Sequence, residues 1–262
     1  MNHNKILKVA IRAALDAGEL LRKNYGKLKA SEISQKSRND FVTTVDRRSE
    51  KLIMGHIHKV FPGDAILAEE SGVTPGNGVC WIIDPLDGTS NYIHQFPLFA
   101  VSIGVARDGV LIAGVIYDVL HNELFSTQKG RGAFLNGRRF GVSKVKRLSD
   151  AMMATGIPFR ARKRFQQYFK SLRVISMASA GMRRGGSAAL DLAYVACGRF
   201  DGFWEINLSP WDIAAGALLI REAGGTISDI HGRPDPLKNG DVLASNGLIH
   251  SQLSAITKRV FR

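Results

Sequence analysis

Hydrophobic residues recur every three or four positions through residues 4–25, where Ile6, Val9, Ala10, Ala13, Ala17, Leu20 and Leu21 share one face between Lys, Arg and Glu. Gly26 follows as a stop, so an amphipathic helix is predicted there. Residues 31–38 are polar and end in Asn39-Asp40, which predicts a loop or mobile arm. Thr43-Thr44-Val45-Asp46 then opens a second helix to about residue 60, with Leu52, Ile53, Ile57 and Val60 inward and Pro62-Gly63 ending it. On local grounds Asp46 is a helix cap and Lys36 a solvated charge.

The period then shortens. Residues 65–68 form a short apolar strand running into Glu69-Glu70, and residues 79–83 read as a buried strand that Pro85 stops, because proline has no N–H to donate. Residues 99–106, 110–119 and 123–127 follow as strands, the first pair joined at Asp108-Gly109, with another hairpin at Asn136-Gly137. Such a meander argues for an antiparallel or mixed sheet. Beyond Gly141, residues 151–157 suit a strand. A helix follows over residues 160–173, with six Lys/Arg and no acid. Residues 188–197 form a helix of small residues, 200–206 a strand carrying Glu205, and 210–223 a helix with Asp212 as its N-cap. Two short strands, 226–230 and 242–245, and a helix from about 249 complete the chain. With no repeat and no flexible linker, the expected organisation is a single domain of two packed lobes, roughly 1–140 and 141–262.

Composition narrows this picture. At 262 residues and 45% hydrophobic, the chain buries a substantial core and is neither disordered nor fibrous. No apolar run approaches the roughly twenty residues that span a bilayer, and Met1-Asn2-His3-Asn4-Lys5 opens no signal-peptide core, so a cytoplasmic protein with no membrane partner is expected. Cys80 and Cys197 are the only cysteines, both in apolar surroundings that suit buried free thiols. Any metal site must therefore use hard ligands. The net charge of +13 attracts polyanions without identifying one.

The chemistry is densest in Asp84-Pro85-Leu86-Asp87-Gly88-Thr89-Ser90-Asn91. Two carboxylates three residues apart at a strand's end can share one hard cation or flank two. Gly88 admits a close ligand, and the helix start after it offers N–H groups to an anion. Alone, such a string is more often a surface turn. A haloacid-dehalogenase-type mechanism is excluded, because Pro85 stands where its nucleophilic aspartate would be.

Three blocks change those odds: Ala68-Glu69-Glu70-Ser71, the Asp84 to Asn91 string, and Trp211-Asp212-Ile213-Ala214-Ala215-Gly216 with Glu222-Ala223-Gly224-Gly225. In order and spacing they resemble the inositol monophosphatase family, over nearly the whole chain. Within it, residues 183–212 are similar to bacterial members that also serve as ribosomal RNA transcription antitermination factors. The resemblance implies an α/β fold, a layered αβαβα sandwich of the sugar-phosphatase type, commonly a homodimer. It implies Mg²⁺-dependent hydrolysis of a small phosphorylated polyol, myo-inositol monophosphate, by an activated water. It places Glu69, Asp84, the Leu86 carbonyl, Asp87 and Asp212 around two or three Mg²⁺ ions. Asp46, Thr89 and Glu69 would serve catalysis, with Lys36 and Glu70 beside the metals. The Gly88 and Thr89 amides would hold phosphate. Arg183, Gly186, Ser187, Ala188 and Glu205 would meet the alcohol, with Glu69, Leu86, Asp87 and Asp212 also near substrate. The alternatives are a related phosphatase for another sugar or nucleotide phosphate, and an RNA-polymerase, transcription-factor or RNA contact through residues 144–147 and 160–173.

Overall fold

The computed structural model describes residues 3–37, 40–159 and 161–262. The first helix the spacing predicts is α1, His3–Asn24. The polar stretch after it is no loop: β1 (Ile33–Ser37) and β2 (Asp40–Thr43) form an antiparallel pair, with Ser34 opposite Val42 and Gln35 opposite Phe41. Ser34, Gln35 and Lys36 are exposed, so β1 carries no burial alternation for a sequence reading to detect. Arg38 and Asn39, at the end of that predicted loop, lie outside the described residues.

Helix α2 (Thr44–Val60) starts from a reciprocal cap in which Thr43, not Asp46, is the N-cap. The Thr43 hydroxyl accepts from the Val45 and Asp46 N–H groups, and the Asp46 carboxylate accepts from Thr43 N. Next come β3 (Ala65–Ala68), β4 (Gly72–Thr74), β5 (Val79–Asp87), the short helix α3 (Thr89–Ile93), β6 (Ala100–Arg107), β7 (Val110–Asp118), β8 (Glu123–Gln128), β9 (Gly132–Leu135) and β10 (Arg138–Phe140). They form one eight-stranded sheet in the order β10-β9-β8-β7-β6-β5-β3-β4, antiparallel except where β3 meets β5. Asp108 and Asn136 adopt positive φ at the two predicted hairpins.

Pro85 does not end its strand. β5 continues to Asp87 through an irregularity, pairing Asp84 with Ser102 and then Asp87 with Ala100. Residues 85 and 86 bulge out of the ladder, which removes the need for a Pro85 donor. The buried Ser49 of α2 donates to the Pro85 carbonyl at 2.9 Å and secures the bulge from behind.

The second half comprises β11 (Met152–Thr155), α4 (Phe165–Ala178), β12 (Gly181–Arg183), α5 (Ala188–Ala196), β13 (Gly202–Glu205), α6 (Pro210–Glu222), β14 (Thr226–Ser228), β15 (Val242–Ser245) and α7 (His250–Val260). Its five strands form a mixed sheet, β12-β11-β13-β15-β14. The basic stretch predicted as one helix is divided. Arg160 lies outside the described residues, Arg162–Arg164 is a 3-10 turn, and α4 begins only at Phe165.

Helices α1 and α2 cover one face of the large sheet, while α5 and α6 lie between the two sheets. Helices α4 and α7 close the far side, where Tyr168, Ile175 and Leu253 bury against Trp204 and Leu243. The layers are therefore α, β, α, β, α. Among the described residues no helix is long and apolar enough to cross a membrane.

Two glycines set the depth of the middle layer. Gly104 and Gly114 lie opposite each other on β6 and β7, directly beneath α6. A Cβ on Gly104 would come within 2.6 Å of Ala214 Cβ, and one on Gly114 within 3.0 Å of the Ala215 carbonyl. Their absence lets α6 settle onto the sheet, bringing its first turn, with Asp212, to the ends of β5 and β6.

Candidate active site

Each acid reaches the site by a different local device. Glu69 follows β3, and its N–H donates to the Ile83 carbonyl of the neighbouring β5 at 3.2 Å. Asp84 is the last residue paired with β6 before the β5 bulge, buried, accepting from Leu86 N at 3.0 Å. Asp87 ends the strand and accepts from the Ser187 hydroxyl and from Ala189 N, the latter at 2.8 Å. Ser187 is the N-cap of α5, so this carboxylate faces the positive end of that helix. Asp212 is not the N-cap of α6, as the sequence suggested. Ser209 fills that position, and Asp212, three residues on, accepts from Ser209 N at 2.7 Å.

Asp84, Asp87 and Asp212 offer carboxylate oxygens that all lie within 4.8 Å of one another. Burial first, and then the negative charges of Glu69, Asp87 and Asp212, push Asp84 well above the ordinary carboxylate range. Burial likewise lifts Asp87 to about 6, against the downward pull of its Ser187 and Ala189 hydrogen bonds. A cluster of like charges is costly unless a cation neutralises it. All donors are hard oxygens, the set that suits Mg²⁺ rather than a thiolate-seeking metal.

Lys36, on the exposed hairpin, reaches Glu69 at 3.0 Å and Glu70 at 2.5 Å. Burial lowers its pKa, but the two glutamates outweigh that and raise it. Burial also lifts Glu70 to about 7, opposed by Lys36. Glu70 is tied down further by its N–H, which donates to the buried Glu50 carboxylate at 2.8 Å.

Asp46 stands behind this cluster, fully buried, and burial lifts it to about 6 despite hydrogen bonds from Thr43 and Thr89. The Thr89 hydroxyl lies 2.9 Å from Asp46 Oδ1 and 3.0 Å from the Leu86 carbonyl. Both are acceptors and the hydroxyl has one proton, so its donation is a choice between them. Gly88 is left-handed, with φ 95°, and α3 begins right after it. The first N–H groups of that turn have no partner inside the helix.

One cleft gathers the predicted Glu69, Asp84, Leu86, Asp87, Gly88 and Thr89 from the first half of the chain. Gly186, Ser187, Ala188, Glu205 and Asp212 line it from the second. Arg183 is the exception: it is exposed, donates to its neighbour's carbonyl on Met182, and lies outside the lining. The adjacent Arg184 lines the cleft instead. Sequence reasoning also missed Phe41, carried in on the overlooked hairpin, the 156–159 turn, Asp191 and Asn207. Asp191 had a signal, as an acid in an otherwise apolar helix. It is buried with Oδ1 unpartnered, and burial followed by the charges of Glu205 and Asp87 raises it well above its ordinary range.

A five-layer α/β sandwich with buried acids converging at strand ends and a helix start defines a phosphatase-type site for hard divalent cations. The sequence profile of the inositol monophosphatase family matches residues 2–260, and the chain belongs to that family. The chain is 45% identical to the inositol-1-monophosphatase of Mesorhizobium japonicum, over 99% of this chain and 98% of that one. It is 48% identical to Nus factor SuhB of Escherichia coli K12, over 92% of this chain and 91% of that one. The crystal structure of the extragenic suppressor protein suhB from Bartonella henselae superposes with a TM-score of 0.94 at 42% identity, covering 97% of this chain and 99% of that one.

Proposed function

We propose that this protein is a Mg²⁺-dependent phosphomonoesterase that hydrolyses myo-inositol monophosphate to inositol and phosphate. The observation that carries this reading is the meeting of Asp84, Asp87 and Asp212 beside Glu69 and the Thr89–Asp46 pair. Glu69, Asp84, Asp87, Asp212 and the Leu86 carbonyl would hold two or three Mg²⁺ ions. When bound, Mg²⁺ neutralises phosphate charge and acidifies the attacking water. The chain's own residues do the rest. Asp46, ionised, takes the Thr89 hydroxyl proton, which leaves a Thr89 lone pair to receive a proton from the water. The Gly88 and Thr89 amides at the start of α3 bind phosphate oxygens, and Asp87 is held by Ser187 and Ala189 so that it cannot swing away. Gly186, Ser187, Ala188 and Glu205 meet the hydroxyls of the alcohol.

The test is phosphate release from myo-inositol 1-phosphate with and without Mg²⁺, for wild type and Asp87→Asn. Metal-dependent release in the wild type alone supports the reading. A wild type that releases none from this or related sugar and nucleotide phosphates sinks it.

A second role in transcription is favoured by the similarity to Nus factor SuhB and by four exposed cations, Arg162, Lys163, Lys170 and Arg173. Arg164 is not among them, because Asp241 holds it in a two-point ion pair at 2.8 Å. Exposed Lys144 and Lys146 extend the basic surface toward an RNA, RNA polymerase or transcription-factor partner, whereas Arg147, also exposed, is paired at two points with Asp150 at 2.8 and 3.1 Å. A homodimer in the cytoplasm is the expected setting. Binding to RNA that weakens steeply with salt and survives Asp87→Asn would support this role; no retention on RNA or polymerase at low salt would remove it.

A further inference from the structure

The chemistry above leaves Asn91 unused, yet its side chain joins two parts of the cleft wall. Nδ2 donates to the Leu98 carbonyl at 2.7 Å and to the Gly185 carbonyl at 2.9 Å. Both partners are acceptors, so the amide has one workable orientation and spends both its protons there. Gly185 is also closely packed at its Cα. A Cβ there would lie 2.7 Å from Leu98 Cδ2 and 3.0 Å from Asp191 Oδ1, and one on Gly186 would lie 3.1 Å from either polar atom of the Asn91 amide.

A few residues further on, Ser187 and Ala189 donate to Asp87. Residues 87–91 and residues 185–189 are therefore joined twice, once at each end. The two joints differ in kind. Asp87 is a charged group that a bound cation also engages, whereas the Asn91 joint is an amide on a main-chain carbonyl, untouched by metal or proton.

We infer that Asn91 is a positioning residue that holds residues 185–189, the turn leading into α5 and that helix's first residues, in register with the acidic motif, and thereby sets recognition of the substrate's hydroxyls rather than turnover of its phosphate. This rests on the phosphatase reading, in which that segment meets the alcohol. Losing the joint frees the Gly185 end of the segment to shift by fractions of an ångström, which weakens hydroxyl contacts, while the Asp87 joint at the other end still holds Ser187 and Ala189 and keeps that carboxylate in place.

The experiment compares Asn91→Ala with wild type on myo-inositol 1-phosphate and on p-nitrophenyl phosphate, which has no hydroxyls for the segment to meet. For the inositol phosphate, KM is expected to rise about ten-fold, the equivalent of roughly one hydrogen bond, with kcat and Mg²⁺ dependence little changed. For the aryl phosphate, kcat/KM should change by less than about two-fold. Equal losses on both substrates, or an unchanged KM for the inositol phosphate, overturn the inference. Should the alanine variant fold poorly, Asn91→Ser keeps one donor and should lie between the two; a folded serine variant with wild-type KM also overturns it. Hydrogen exchange gives a readout independent of catalysis. Amides of residues 186–189 should exchange about ten-fold faster in Asn91→Ala, and unchanged exchange refutes the positioning role even if the wild type turns over neither substrate. Inactivity of the wild type on both would count against the phosphatase reading alone.

Discussion

Thr89 Oγ1 lies 2.9 Å from Asp46 Oδ1, across 43 residues of sequence. A hydroxyl in the lining of the cleft is thus wired to a buried carboxylate that burial has lifted to about 6. If this pair moves the water's proton, Thr89→Ala and Asp46→Asn should each lower kcat by about 10²–10⁴-fold, the usual scale for general-base assistance. Mg²⁺ affinity should change little. Variants within five-fold of wild-type kcat would remove the pair from the mechanism.

Asp84 separates the cost of the acid cluster from its use. It is buried among like charges, so Asp84→Asn in metal-free protein should leave stability equal or higher, while the Leu86 N–H keeps an acceptor. The rise in Tm that Mg²⁺ gives the wild type should shrink sharply in the variant. A destabilised variant that still gains the full Mg²⁺ effect would show that Asp84 is structural only.

The raised acids also fix a pH dependence. Asp46 and Asp87 titrate at about 6 and Glu70 at about 7, all above their ordinary values. The folded protein therefore holds these protons more tightly than the unfolded chain does, and stability is gained as pH falls through the window from about 7 to about 4. Metal-free protein should melt higher at pH 5 than at pH 8. Mg²⁺ competes with those protons, so its stabilisation should be larger at pH 8. Scans with chelator and with Mg²⁺ check both signs; metal-free protein melting highest at pH 8 contradicts the account.

Helix α6 should answer to the sheet beneath it. Gly104→Val puts carbon where only 2.6 Å separates the new Cβ from Ala214 Cβ. Overpacking of this kind costs roughly 1–3 kcal/mol, and lifting α6 also moves Asp212, so Mg²⁺ affinity should fall with stability. Chemical denaturation and Mg²⁺ titration test the two together. Stability within 0.5 kcal/mol of wild type, the size of an ordinary surface substitution, would mean that the helix does not depend on this contact.

By itself the sequence determined the elements whose signals are local. The period of α1, the turns at Asp108-Gly109 and Asn136-Gly137, and the acids at the ends of β3 and β5 were all legible, because periodicity and turn chemistry act over a few residues. Tertiary structure decided what depends on partners distant in sequence. The β1–β2 hairpin exists through cross-strand pairing, with exposed residues along β1, so it left no apolar period; Phe41 reached the cleft, and Lys36 the Glu69–Glu70 pair, unforeseen in local terms. Pro85 stays within its strand because a bulge excuses its missing donor and Ser49 grips its carbonyl. The choice of Arg184, which follows β12, over Arg183, which ends it, is a matter of backbone course that composition does not carry. Asp84, Asp87 and Asp212 could be proposed one at a time from their settings. Their meeting within 4.8 Å required α6 to rest on Gly104 and Gly114, a contact made only once both sheets and the helices between them are folded.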